Sequence, residues 1–223
     1  MFYIGVDDAG RGPVIGPMVL AGVLVDDKQL DILKKLKVKD SKLLTPSQRE
    51  ILAVQIRKHV TAFCILRVLP EEIDTKIAAG INLNKIEALK TAEIINVLSK
   101  RTHGAEAIID CPSNNIAAWQ NYLSQHIHDK TKIRLRCEHK ADVNYPVVSA
   151  ASILAKVTRD EEVDKIQARI DEAIGSGYPS DPITIEFLKK YSRKYKDYGI
   201  FRKSWQTWKT EEKKKGQRKI GEF

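Results

Sequence analysis

Cysteine is scarce in this chain and badly placed for cross-linking. Cys64, Cys111 and Cys137 are an odd number without C-x-x-C spacing, which argues against a disulfide framework or a zinc ribbon and for a reducing compartment, the cytoplasm. No window approaches the length of a membrane span, and no basic start leads into an apolar segment, so a soluble, unprocessed chain is expected. Internal repeats and long disordered stretches are missing too. Histidine offers little: His126 and His128 form a lone H-x-H at a helix end that reads as solvated surface, and His139 is at most an outer partner of nearby acids. Acidic residues are the minority charge, 29 against 38 Lys and Arg, and the resulting +9 favours polyanionic partners that exchange counterions for basic side chains.

What is present is organised around the first residues. Tyr3-Ile4-Gly5-Val6 reads as a buried strand closing on two adjacent carboxylates, Asp7 and Asp8, before a loop rich in glycine and proline, Ala9 to Pro17. Buried acids are costly unless paired, protonated or coordinated. In the loop, Gly10 and Gly12 let backbone approach a ligand, and Arg11 between them offers a planar fork suited to phosphate.

Along the chain, Met18–Val25 predicts a second, antiparallel strand, and a short amphipathic helix covers Gln29 to Leu36. Thr45-Pro46 predicts an N-cap and first helical residue for a helix to His59. Thr61–Leu69 predicts a third strand, Pro70 opens a short helix, and Asn82 caps a long one. Ala105–Ile109 predicts a fourth strand closing on Asp110. A helix over Ile116–Gln125 leads to the alternating fifth strand, Lys132–Cys137. From Pro146 a helix of about seven turns follows, its first half small or apolar and able to lie close to a sheet. The Gly175–Pro182 stretch is the clearest break, and Thr184–Tyr195 predicts one more helix. Trp205 and Trp208, further on, read as core. The expected fold is α/β: a mixed five-stranded sheet with helices on both faces, residues 1–175 forming the core and 176–223 a helical extension. Parallel crossovers would bring Asp7 and Asp110 to one edge, where ligands settle in open α/β sheets.

Asp7, Asp8, Asp110 and Asp142 are each followed by turn chemistry. Any one could be a cap, and Asp142 ahead of the long helix reads equally well as one. Four on one edge do not fit four independent caps. Gathered carboxylates repel unless divalent cations neutralise them, and hard oxygen ligands favour Mg2+ or Mn2+ over zinc. Two such ions roughly 4 Å apart can activate water and stabilise the leaving oxygen of an in-line phosphoryl displacement.

The runs Asp7-Asp8-Ala9-Gly10-Arg11-Gly12, Asp40-Ser41-Lys42, Asp110, His139-Lys140-Ala141-Asp142, Ser149 to Lys156 and Gly177 to Pro182 closely resemble the type 2 ribonucleases H in their archaeal ribonuclease HII form. The resemblance covers nearly the whole chain. It implies a ribonuclease H fold, cleavage of RNA in RNA–DNA hybrids and incision 5′ of single ribonucleotides in duplex DNA, leaving 3′-hydroxyl and 5′-phosphate ends, with two Mg2+ or Mn2+ ions held by Asp7, Asp8, Asp110 and Asp142. The related ribonuclease HIII carries an added amino-terminal domain, whereas this chain starts at its first strand. By the same resemblance Gly10, Arg11 and Gly12 recognise a ribose 2′-hydroxyl and Tyr178 stacks on the following deoxyribose, although a tyrosine could also simply pack under the Gly-Pro loop. Lys42, Ser149, Lys156 and Arg159 suit phosphate contacts, or could be solvated charges and a packing hydroxyl.

One position departs from the family, which normally carries Asp-Glu where this chain has Asp7-Asp8. If the second acid reaches in from a turn, its side chain is shorter by one carbon, about 1.5 Å. Weakened occupancy of one metal position, or a shift towards manganese, is the expected result. At the other end, Gln217, Ile220 and Phe223 fit a Q-x-x-aliphatic-x-x-aromatic peptide that docks on a DNA sliding clamp, the alternative being a frayed basic tail. A monomer is expected. Rival readings are a catalytically weak hybrid-binding or clamp-tethered module and a DNA-directed nuclease of the same fold.

Overall fold

The sheet is built from β1 Phe2–Ala9, β2 Met18–Asp26, β3 Ala62–Val68, β4 Ala105–Asp110 and β5 Ile133–Glu138, in the spatial order β3-β2-β1-β4-β5. This computed structural model describes residues 1–38 and 44–217, with side chains to residue 214. β1 is antiparallel to β2 and parallel to β4, and β4 is parallel to β5, so the sheet is mixed as expected. β1 does not stop at its carboxylates. Its ladder with β2 continues through Asp7↔Ala21 and Asp8↔Leu20 to Ala9↔Val19, because the apolar run Val19–Leu24 supplies a buried partner for every residue.

The helices are α1 Asp27–Lys35, α2 Pro46–His59, α3 Pro70–Ala78, α4 Leu83–Ser99, α5 Ile116–Gln125, α6 Ala141–Asn144, α7 Pro146–Gln167, α8 Pro182–Tyr191 and α9 Gln206–Gln217. Thr45 caps α2 in a reciprocal box with Gln48, and Pro46 takes the first position; such a cap contributes about 1 kcal/mol. α7 runs for 22 residues, roughly six turns and one fewer than expected. α8 starts and ends earlier than the sequence implies, because the Asp181 side chain accepts from the Ile183 N–H and fixes the helix start there.

The chain divides into two compact units, each discontinuous in sequence. One comprises Met1–Ala9, Val19–Arg67 and Leu83–Thr158; the other comprises Gly10–Met18, Val68–Asn82 and the chain from Arg159 onward. The expected boundary at residue 175 falls inside the second. The larger unit has a core of Val19, Val23, Leu33, Ala53, Val147, Ala151 and Leu154. β1 sends alternate residues to opposite faces. Gly5 faces α7 at a point where a Cβ would lie 2.3 Å from the Val147 backbone carbonyl, so only glycine permits this close approach. On the other face a Cβ at Gly22 would meet Ile94 of α4 at 2.2 Å.

The second unit is held by Val14, Ile15, Val163, Phe187, Phe201 and Trp208, with Trp205 packed against them. Phe201 and Trp208 approach to 4.6 Å between ring centroids, consistent with tryptophans that serve as core. Among the described residues no helix is long and apolar enough to cross a membrane.

Candidate active site

In the larger unit, parallel register does the positioning. Val6 is opposite Ile109, so the next residues, Asp7 on β1 and Asp110 on β4, come side by side just past the last β1–β4 pair; Asp110 is in turn opposite Glu138. Asp7 is only 8% exposed, and its Oδ1 accepts the Asp8 N–H at 2.8 Å. Burial first, then the charges of Asp8 and Asp110, pushes the Asp7 carboxyl well above the usual aspartate range, against hydrogen bonds from Ser152 and the Asp8 N–H that favour its charged form.

Asp8 lies on the opposite face of β1. It lines a cleft with Asp7, Asp110, Glu87, Thr91 and Trp119. The sequence reading placed Asp8 in a turn; it is a strand residue flanked by Asp7 and Ala9 in the ladder. Glu87 and Thr91 on α4, both buried, were not anticipated. An acid and a threonine four apart on a helix otherwise read for its apolar stripe were the available signal.

Asp110 Oδ1 accepts the Ala141 N–H at 3.0 Å, and this brings the start of α6, with Asp142, to the end of β4. The contact is set by Lys140, whose left-handed backbone (φ 57°) costs a non-glycine residue about 1–2 kcal/mol. Asp142 is half-buried, and its carbonyl accepts the Ser149 hydroxyl, which also lies 3.2 Å from the Tyr145 carbonyl. Ser149 is fully buried and Lys156 half-buried. His139 is exposed, its Nδ1 3.0 Å from the Cys111 carbonyl. Lys42 lies outside the described residues.

The second unit holds the glycine loop. Gly10 has φ +78°, and a Cβ there would come within 3.0 Å of the Pro17 carbonyl, so both conformation and space require glycine. A side chain at Gly12 would lie 3.7 Å from the Tyr178 ring. Arg159 is buried beneath: its guanidinium is 5.2 Å from the Tyr178 ring centroid and donates to the Ser176 carbonyl at 2.5 Å. Arg202 and Trp205, which the sequence did not single out for the loop, donate to its carbonyl groups. Ile220 and Phe223 lie outside the described residues; Gln217 is the last residue of α9.

The carboxylates are hard oxygen donors, and the electrostatic strain on Asp7 is what a divalent cation would relieve. Among the described residues, however, no three acidic, histidine or cysteine side chains are grouped closely enough to hold an ion as they stand.

A mixed five-stranded sheet that delivers carboxylates from the ends of adjacent parallel strands defines a nuclease of the ribonuclease H-like fold. The chain belongs to the ribonuclease HII family, a family of metal-dependent hydrolases: the family model described as Ribonuclease HII matches residues 4–208. A ribonuclease HII of Pyrococcus furiosus is 42% identical over 204 residues, covering 91% of this chain and 88% of the relative. The crystal structure of ribonuclease H2 from Pyrococcus horikoshii superposes with a TM-score of 0.86 at 38% identity, covering 96% of this chain and 98% of that one. A PCNA:RNase HII complex from Archaeoglobus fulgidus contains a similar chain, with TM-score 0.82, 39% identity and coverage of 92% and 96%.

Proposed function

We propose that this chain is an endoribonuclease that hydrolyses the RNA strand of RNA–DNA hybrids and cuts 5′ of single ribonucleotides in duplex DNA, leaving 3′-hydroxyl and 5′-phosphate ends. The observation that carries this reading is the Val6↔Ile109 register, which sets the buried, high-pKa Asp7 beside Asp110. Asp7, Asp8, Asp110 and Asp142 would hold Mg2+ or Mn2+, two ions in the full reading. Bound there, the ions would neutralise the carboxylates and supply Lewis-acid assistance to an in-line displacement at phosphorus.

The remaining roles belong to the chain itself. The Gly10-Arg11-Gly12 backbone meets the ribose 2′-hydroxyl, the group that separates RNA from DNA at a single sugar. Tyr178, backed by the Arg159 guanidinium, presents a flat face to the following deoxyribose, where an added hydroxyl would crowd it. Lys42 and Lys156 contact phosphates. Ser149 and Arg159 are buried with their polar atoms bonded to backbone carbonyl groups, Ser149 to Tyr145 and Arg159 to Ser176, which favours their reading as packing groups over phosphate contacts. The complex recorded for the Archaeoglobus relative favours reading Gln217, Ile220 and Phe223 as a clamp-docking peptide.

The deciding experiment is one gel. A labelled duplex with a single ribonucleotide, incubated with Mg2+ or Mn2+ beside an all-DNA control, is cut only at the ribonucleotide, and excess chelator stops the cutting. Binding without cutting would mark a binding module, and cutting of the control a DNA-directed nuclease.

A further inference from the structure

The most completely buried large side chain in the second unit is a cation, Arg202, with no exposed surface. A buried guanidinium costs several kcal/mol unless its donors are engaged. Here they converge on one short stretch of backbone. Arg202 Nη2 donates to the Gly10 carbonyl at 2.6 Å, Nη1 to the Arg11 carbonyl at 2.8 Å and Nε to the Gly16 carbonyl at 3.0 Å. The Trp205 indole N–H takes the next carbonyl, that of Gly12, at 3.0 Å, and its ring lies 4.9 Å from the Arg202 guanidinium. Three consecutive carbonyl groups, Gly10 to Gly12, are thus drawn towards one cation–aromatic pair.

Peptide planarity turns that into a directional device. Every peptide bond described is trans, and in a trans peptide the N–H points opposite to the carbonyl of the preceding residue. Holding the Gly10 and Arg11 carbonyls towards Arg202 therefore aims the Arg11 and Gly12 N–H groups the other way. Gly12 is exposed and Arg11 half-exposed, so this part of the loop reaches the protein surface. Arg202 is itself anchored: its N–H donates to the Val14 carbonyl at 2.9 Å, and the Asp74 carboxylate accepts the Lys203 and Ser204 N–H groups at 2.7 and 2.9 Å, fixing the turn that follows.

We propose that Arg202, with Trp205, is a positioning residue for sugar discrimination: it locks the carbonyl side of the Gly10–Gly12 loop so that the Arg11 and Gly12 N–H groups are pre-aimed at a ribose 2′-oxygen. This rests on the loop's role stated under Proposed function. The planar fork is essential to it, because a guanidinium can serve three carbonyls in fixed directions while a lysine ammonium cannot reproduce that spread.

The test compares affinity for a duplex containing one ribonucleotide with affinity for the all-deoxy duplex, by fluorescence anisotropy with Ca2+ replacing Mg2+ to prevent cutting. Wild type favours the ribonucleotide. Arg202→Lys shrinks that preference about tenfold, the equivalent of one well-placed hydrogen bond, and Trp205→Phe, which removes one donor and keeps the ring, shrinks it about threefold. A residue that merely stabilised the fold would weaken both affinities together and leave the ratio unchanged. An unaltered ratio in folded Arg202→Lys overturns the proposal; if circular dichroism shows that variant unfolded, Trp205→Phe decides in the same way. A wild type without any preference overturns the loop's assigned role, and this inference with it.

Discussion

Replacing Gly5 with alanine tests how the fold places Asp7. The new methyl carbon would sit 2.3 Å from both the carbonyl carbon and oxygen of Val147 and 2.6 Å from the Val148 nitrogen. These are backbone atoms at the start of α7, so no rotamer change relieves the clash. Restoring an ordinary contact of about 3.4 Å means separating β1 and α7 by about 1 Å along that line. Overpacking of this kind costs typically about 1–3 kcal/mol, and three backbone contacts place it at or above the upper end. For a chain of this size about 3 kcal/mol lowers the thermal midpoint by roughly 6–12 °C. Asp7 is two residues along the same strand and hydrogen-bonds Ser152 on α7, so the shift also reaches the carboxylate; a displacement near 1 Å can reduce turnover about a hundredfold. Thermal melts and single-ribonucleotide cleavage should be measured beside Gly104→Ala, where the added carbon meets nothing closer than the Lys132 carbonyl at 3.6 Å and stability should stay within about 0.5 kcal/mol. A Gly5→Ala chain that melts and cuts like wild type would refute the reasoning.

Three further outcomes are expected. Asp7→Asn should abolish cleavage with metal present and, in separate melts with chelator, raise the thermal midpoint at pH 7: a carboxyl whose folded pKa is raised holds its proton more tightly in the native state, so its penalty grows as pH rises from the ordinary aspartate value through the raised one. The stabilisation should fade near pH 3, and a pH-independent difference would contradict this. Asp8→Glu, which lengthens the side chain by one carbon, should raise activity with Mg2+ relative to Mn2+; identical rates and metal preference would remove any significance from the shorter acid. Deleting residues 220–223 should abolish sliding-clamp pull-down while leaving cleavage intact, and undiminished clamp retention would discount the peptide.

Much of this could be read from the residues before any coordinates. Five strands are legible because each is a short β-rich run bounded by turn residues, and the bounds of α2 followed from Thr45 and Pro46, which carry their cap chemistry locally. The shared edge of Asp7 and Asp110 followed from strand–helix–strand order, since a parallel crossover brings both strand ends to one side. The end of β1 was misjudged because charge was read as a stop signal. Cross-strand partners from Val19 to Leu24 outweigh two carboxylates, and that pairing is not local information. Glu87 was hidden for the opposite reason: an acid in a helix looks solvated, as Glu93 on the same helix is, until a neighbouring element covers it. Arg202 could not be inferred at all, because its acceptors lie 186 to 192 residues away and are backbone oxygens, which carry no sequence signature.

The smaller unit is woven from three separate stretches of chain: Gly10–Met18, Val68–Asn82 and the run beginning at Arg159. Its stitches are explicit, in Val14 and Gly16 bonding to Gly177 and Ile200, and in Asp74 reaching Lys203 and Ser204. It therefore cannot be grafted or exchanged as a single cassette, and a truncation after residue 175 would leave two of the threads with only the opening part of the third. If the glycine loop reads the sugar as proposed, altered sugar preference would have to arise by substitution within the weave, not by swapping a module.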